Sequence, residues 1–220
     1  MTLRIHGIPA SRAIRPLWAA TELGLGFEHI ATDYKGGGTR TPEFLALNPN
    51  GHIPVLQDDT PDGEVRVFES MACVLYIAKA HGKGDGVDLS AANLKEEGAA
   101  LRWAFWSVTE LEKDALTVLM HRMAMPEAER KPDLALAAEG RLRPALKVLE
   151  QALAEQQAQG QSHLAAARFT VADLCVASVT MWIRPATTLM SEFPLTAAWL
   201  KNCLDRPAHQ AARKLGRSGR

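Results

Sequence analysis

The spacing of apolar positions changes about a third of the way along the chain. In the first part they fall in short runs, and Leu3 to His6, Phe27 to Ala31, Val55 to Asp58 and Val65 to Phe68 read as strands. Between the first two, Ile14, Leu17, Trp18 and Leu25 share one helical face. Pro9 precedes them, and Ser11 stands where a capping residue would, so a helix is predicted over Ser11 to Leu23. Strand, helix and strand within about 30 residues make a βαβ unit with a parallel pair. Pro42 to Leu47 predicts a short helix, the TPDG turn at 60–63 a hairpin, and Ser70 to Ala80 a closing helix. The order is βαβαββα.

From residue 90 onward Ala, Leu and Glu dominate with helical spacing. A long helix is predicted from Ser90 to Met123, with Leu101, Phe105, Val108 and Leu111 on one face and Trp103 and Trp106 on another, so that it is buried on both faces or shares one with a partner subunit or a ligand. A second follows from Pro132 to Gln159, carrying the stripe Leu142, Leu146, Leu149 and Leu153, with Pro144 as a kink. In FTVADLCVASVTMWI, Thr170 and Asp173 have capping-box spacing and Phe169 can staple onto Leu174. The helix behind them is apolar all round, which predicts a core position and an end near Pro185. Two short helices, Pro194 to Cys203 and Asp205 to Leu215, complete the chain.

Glycine and proline place the boundary. The segment HGKGDGVDLS at 81–90 interrupts any regular element with Gly82, Gly84 and Gly86. It divides the chain into a first domain of residues 1–81, a linker of 82–89 and an all-helical domain of 90–220. Charge then excludes whole classes of function. Lys and Arg total 25 against 25 Asp and Glu, which argues against nucleic-acid binding by bulk electrostatics. No run approaches the roughly 18 apolar residues of a membrane span, and the first residues, MTLRIHGIP, lack the pattern of a secretory signal. The expected location is the cytoplasm. Cys73, Cys175 and Cys203 have neither CxxC spacing nor a close His, so no metal, disulfide framework or dithiol site is expected.

Three strings carry a resemblance: GIPASRAIRPLW at 7–18, PEFLALNPNGHIPVL at 42–56 and FESMACVLYIA at 68–78, joined by FTVADL at 169–174. With them the chain resembles the cytosolic glutathione transferases over essentially its whole length. Within that family it looks like a serine-type, bacterial-like member. The resemblance implies a thioredoxin-like first domain and a C-terminal helical bundle. It also implies glutathione as co-substrate, a small electrophile as second substrate and a homodimeric assembly.

Glutathione carries two carboxylates, an amine and a thiol, and the strings offer a group for each. Ile53-Pro54 looks like the family's cis-proline step, which would leave the Ile53 backbone open to the cysteinyl part of glutathione. Ser70 and the first N–H groups of its helix can hold the γ-glutamyl carboxylate, and Glu69 can pair with the γ-glutamyl amine. Read from the residues alone, Ser70 is also a helix cap. Arg40 and His52, with Lys35 beside them, stand where the family binds the glycyl carboxylate.

Ser11 matches the position from which serine-type members hold the glutathione thiolate, though as a helix cap it would need no chemistry. Arg12 or Arg15 can add positive potential there, and Arg15 can equally face solvent or the second domain. Position 10 is Ala10, so the chain brings no cysteine of its own to the site. That favours addition or displacement by glutathione over mixed-disulfide chemistry. A second-substrate pocket is expected from Ile8, Pro9, Trp103 and Trp106, with Met120, His121 and Met123 as additions; core or dimer packing is the other reading of the tryptophans. The alternatives to a transferase are a glutathione-dependent dehalogenase, isomerase, lyase or peroxidase, or a binding module that keeps the fold without turnover.

Overall fold

A computed structural model describes residues 2–83 and 87–216. The chain divides into two compact units, one made of Met1–Ser90 with Arg206–Arg220, the other of Ala91–Asp205. Residues from Arg206 were expected in the helical half and group instead with the first unit. Of the expected linker, 84–86 lie outside the described residues.

The first unit runs β1 (Leu3–His6), α1 (Ile14–Glu22), β2 (Phe27–Ile30), α2 (Pro42–Leu47), β3 (Val55–Thr60), β4 (Gly63–Phe68) and α3 (Ser70–His81). The sheet order is β2-β1-β3-β4, with β1 and β2 parallel and the other pairs antiparallel. The βαβ unit and the hairpin are both present. β3 and β4 run further than anticipated because pairing continues to Thr60 and Gly63, leaving Pro61-Asp62 as the turn. Strand alternation sorts the side chains onto two faces. Leu3, Ile5 and Leu56 are buried on one, while Arg4 pairs with Asp59 and His6 bonds Gln57 at 2.8 Å on the other. Asp58, on the buried face, accepts from the Tyr76 hydroxyl at 2.8 Å and sits 2.7 Å from His81 Nε2, fixing α3 against the sheet. Thr41 caps α2 by accepting from the Phe44 N–H, and Pro42 occupies the first turn.

The second unit contains α4 (Leu94–Trp106), α5 (Glu112–Leu119), α6 (Pro132–Ala158), α7 (Val171–Thr180), α8 (Thr187–Ser191) and α9 (Pro194–Leu204). The long helix anticipated from Ser90 starts at Leu94. There the Asn93 side chain accepts from the Glu96 N–H and the Glu96 carboxylate takes the Ala92 N–H. Two π-helical turns, Ser107–Leu111 and Met120–Ala124, interrupt it.

Of the two apolar faces predicted for that helix, the one carrying Leu101 and Phe105 is open along α4. Leu101 and Phe105 are 45% and 64% exposed, and the buried stripe is Ala100, Trp103, Ala104, Ser107 and Leu111. Burial follows the small residues because α4 packs on α7, and small side chains allow close approach of two helices. Every residue of α7 is buried, so the expectation of a core helix holds, and its capping box forms between Thr170 and Asp173. Leu142, Leu146, Leu149 and Leu153 of α6 are buried as the stripe predicted. α8 was not anticipated from the sequence.

The last element, α10 (Pro207–Ala212), packs on α1 within the first unit. The ring of His209 lies 4.6 Å from that of Trp18, whose Nε1 donates to Glu22. Glu22 in turn accepts from Arg206 Nε at 3.0 Å.

Candidate active site

Gly7 ends β1 with φ +133°, and a Cβ there would lie 2.5 Å from Ala13 Cβ and 3.2 Å from Ile53 Cβ. Only glycine lets the segment leading to Ser11 fold this tightly against both the start of α1 and the loop before β3. Ser11 is half-buried. Its hydroxyl donates to the Ile8 carbonyl at 2.7 Å and its oxygen accepts from the Ala13 N–H at 3.1 Å. Ser11 is therefore not the cap of α1. Three-residue turns, Ile14 N–H to Ser11 C=O and Arg15 N–H to Arg12 C=O, precede the first four-residue bond, from Leu17 N–H to the Ala13 carbonyl. The helix begins at Ile14 because the Ser11 oxygen already closes a local turn. A hydroxyl hydrogen rotates freely, so this one can leave the Ile8 carbonyl for a better acceptor while the Ala13 bond keeps the oxygen in place.

The loop before β3 is organised by Asn48, a residue in the NPNG string that sequence reasoning left without a role. Asn48 is buried; its Nδ2 donates to the His52 carbonyl at 2.8 Å and its Oδ1 accepts from the Asn50 N–H at 3.0 Å. An asparagine that bonds the backbone two residues on is a turn-former, and that propensity was the available signal. Arg40 Nη1 donates to the Asn50 carbonyl at 3.3 Å. Gly51, at φ +62°, has no room for a Cβ because the Arg40 guanidinium and the Thr39 carbonyl occupy that space. Arg40 and the loop carrying His52 are thus brought together. Both side chains are exposed, as is Lys35. The Ile53-Pro54 peptide is cis. Among the described residues, neither the N–H nor the C=O of Ile53 has a hydrogen-bond partner, so this backbone edge is open.

Glu69 joins β4 to α3 with φ +69° and ψ 117°, and it is the one non-glycine residue among those described with positive φ. Such a conformation costs about 1 to 3 kcal/mol and marks functional sites when surrounding structure enforces it. Glu69, not Ser70, occupies the cap position, and Ser70 is the first residue of the helix. The sharp left-handed turn at Glu69 lets the helix start one residue earlier than a serine cap would. The Glu69 carboxylate is exposed while Ser70 is buried. Arg15 does not face solvent: it is 1% exposed and its Nη1 donates to Ser70 Oγ at 2.8 Å. Its position between Ile14 and Leu17, inside an apolar stripe, was the overlooked signal.

In the second unit, Trp103 is buried, Trp106 is half-buried, and their rings meet edge to face at 5.0 Å. The Arg102 guanidinium lies 5.2 Å from the Trp103 ring centre. Met120 and Met123 are exposed, and His121 Nδ1 accepts from the Lys131 N–H. Ile8 and Pro9, in the first unit, are half-buried. All three cysteines are buried and free. Burial, with the nearby Glu69 charge, pushes the Cys73 thiol up to about 12.

Residues 1–79 match the glutathione S-transferase N-terminal domain and residues 112–207 the C-terminal domain of the same family. The chain belongs to the glutathione S-transferase family. A glutathione S-transferase of Silene vulgaris is 30% identical over 214 residues, covering 94% of this chain and 95% of its own. The crystal structure of glutathione transferase F7 from Populus trichocarpa superposes with a TM-score of 0.82 at 27% identity, over 96% of this chain and 98% of that one. Ure2p in complex with glutathione, 23% identical, shares the fold with a TM-score of 0.80, over 96% and 94% of the two chains. The fold of this glutathione S-transferase is accordingly a thioredoxin-like unit with a four-stranded mixed sheet, joined in sequence to a helical unit.

Proposed function

We propose that this glutathione S-transferase binds glutathione along the Ile53 backbone edge, between Glu69-Ser70 and the Arg40–His52 loop, and activates its thiol with the Ser11 hydroxyl. The observation that carries the reading is the close packing at Gly7. It sets the Ser11 turn directly beside the cis Ile53-Pro54 step, so that a cysteinyl residue paired with Ile53 has its sulfur near Ser11. Ure2p, which shares the fold, is found in complex with glutathione. In this reading Glu69 takes the γ-glutamyl amine, Ser70 the γ-glutamyl carboxylate, and Arg40 and His52 the glycyl carboxylate. The exposed positions of Glu69, Arg40 and His52 support those roles.

The chemistry needs a thiolate. A free thiol has a pKa near 8.5, and lowering it by about 2 units takes about 2.7 kcal/mol. One hydrogen bond to a charged acceptor supplies about 1.5 to 3 kcal/mol, so the Ser11 hydroxyl suffices without a protonated base. The thiolate then attacks an electrophilic small molecule, for which Ile8 and Pro9 are the proposed contacts in the first unit. The serine-type assignment rests on Ser11. The bacterial-like assignment draws no support from the Silene and Populus relatives, which are plants.

Retention on immobilised glutathione together with conjugation of an aryl halide tests the reading. Retention without conjugation would favour a binding module, and a panel of halides, peroxides and isomerisable substrates separates the more specialised transferase chemistries. Glu69→Ala is expected to raise the KM for glutathione at least 10-fold while changing kcat by less than about 3-fold. An unchanged KM would remove Glu69 from the amine site.

The homodimer is proposed from an apolar stripe on α4, where Leu94, Leu101 and Phe105 are 85%, 45% and 64% exposed on one helical face. Phe105→Glu is expected to halve the sedimenting mass. A Phe105→Glu protein that still sediments as a dimer would place the interface elsewhere.

A further inference from the structure

Arg15 is a cation buried in the first turn of α1, and its Nη1 donates to the residue that opens another helix. A serine hydroxyl has one hydrogen to give and two lone pairs to receive with, whereas a guanidinium can only donate. Arg15 Nη1, 2.8 Å from Ser70 Oγ, therefore occupies a lone pair and leaves the hydroxyl hydrogen uncommitted. Among the described residues that hydrogen has no acceptor, although Ser70 is 6% exposed. A buried hydroxyl without an acceptor is unusual, and serine in the first turn of a helix commonly finds one nearby.

The surroundings say what acceptor would suit it. Ser70 begins a helix of 12 residues, whose first N–H groups and positive dipole end favour an anion. A cation is the sign of charge that a helix N-terminus ordinarily disfavours, yet Arg15 is held there. The strained turn at Glu69 adds to the picture, because it presents Ser70 and the following N–H groups together at the point where β4 ends. Guanidinium, helix terminus and free hydroxyl hydrogen are complementary to a carboxylate.

We infer that Arg15 is a positioning residue for glutathione: it holds the Ser70 hydroxyl as an acceptor, so that the hydroxyl's hydrogen is aimed at the γ-glutamyl carboxylate. The inference rests on the proposed glutathione site and adds to it a residue that does not touch the ligand. Arg15 also lies four residues after Ser11, so the piece of chain that sets the thiolate donor also sets the carboxylate donor. The thiol and the γ-glutamyl end of the bound tripeptide are thereby tied to one stretch of chain.

The test compares glutathione with 4-aminobutyryl-cysteinyl-glycine, which keeps the amine and thiol but lacks the γ-glutamyl carboxylate. Steady-state kinetics would be run on the wild type, Arg15→Met, Arg15→Lys, Ser70→Ala and the Arg15→Met/Ser70→Ala pair. The wild type should prefer glutathione, in KM, by about 10- to 100-fold. Arg15→Met and Ser70→Ala should each remove most of that preference by raising the KM for glutathione, with kcat changed less than about 3-fold. The double variant should be no worse than either single one, because the two act in series, and Arg15→Lys should recover part of the loss. Equal losses on both thiols, or multiplicative losses in the double variant, would overturn the role of Arg15 while leaving the glutathione site intact. A wild type indifferent to the carboxylate would overturn the site itself. Should Arg15→Met fail to fold, Arg15→Lys and Arg15→Gln carry the same comparison.

Discussion

Ser11→Ala is expected to lower turnover about 10- to 1,000-fold, the range for losing one donor to a developing or resident anion. It is also expected to raise the kinetic pKa of bound glutathione toward the free-thiol value. Both effects have one cause. The hydroxyl now shared with the Ile8 carbonyl is the donor that would move to the sulfur, and alanine has nothing to move. The KM for glutathione should change far less, since the carboxylates and amine keep their partners. A pH–rate profile of the variant against wild type checks this, because a lost donor shifts the ascending limb to higher pH whereas a merely disturbed turn lowers the plateau without shifting it. An unshifted limb would remove Ser11 from the chemistry. Ser11→Thr keeps the hydroxyl and should leave the ascending limb close to its wild-type position.

The second large effect is on stability and lies in the other unit. Asp173 is fully buried at the start of α7, where its carboxylate accepts from the N–H groups of Leu164 and Thr170 and from Trp199 Nε1. Asp173→Ala leaves three buried donors without their acceptor, each at a cost of about 1 to 3 kcal/mol. A total loss of about 3 to 5 kcal/mol is expected, a large share of the roughly 5 to 15 kcal/mol by which a domain is stable. Urea unfolding would show it as a lower midpoint with little change in slope. Burial pushes the Asp173 carboxyl above the ordinary carboxylate range. The unfolded chain therefore releases this proton first as pH rises, and the group's contribution to stability falls through that window. Asp173→Asn should flatten that part of the pH profile and cost less than alanine, since one acceptor oxygen remains.

The sequence announced some of this architecture more plainly than the rest, for physical reasons. The strands and the helices α2, α3, α6 and α7 were legible because each is fixed by local pattern: alternation, a capping residue, or a stripe of leucines. The cis Ile53-Pro54 step was legible only through the resemblance, since nothing in a dipeptide distinguishes cis from trans. On α4 periodicity found two apolar faces but did not say which one the chain itself covers. There, leucine and phenylalanine marked the outward face, while Ala100, Ala104 and Ser107 marked the buried one, because close helix packing selects for small size. Ser11 and Ser70 were both read as caps, and both lie one or more residues away from that position, Ser11 because its hydroxyl closes a turn with Ile8 and Ala13, Ser70 because the left-handed backbone at Glu69 takes the cap position. Asn48 was given no role, and Arg15 was considered only as added positive potential or a cation facing solvent or the second domain, because the one bonds around a turn and the other reaches a group far off in the chain, and spacing alone records neither.

The pairing of α10 with α1 also has a consequence for how the molecule comes into being. Because Glu22 and Trp18 meet Arg206 and His209, the helical unit is topologically an insertion within the first unit, spliced between Ser90 and Arg206. During synthesis α3 emerges soon after α1, but α10 follows only after the whole helical unit. The Ser11 turn therefore leads into a helix whose α10-facing side stays uncovered until the inserted unit has been made, and the first unit cannot reach its final form from its N-terminal segment alone.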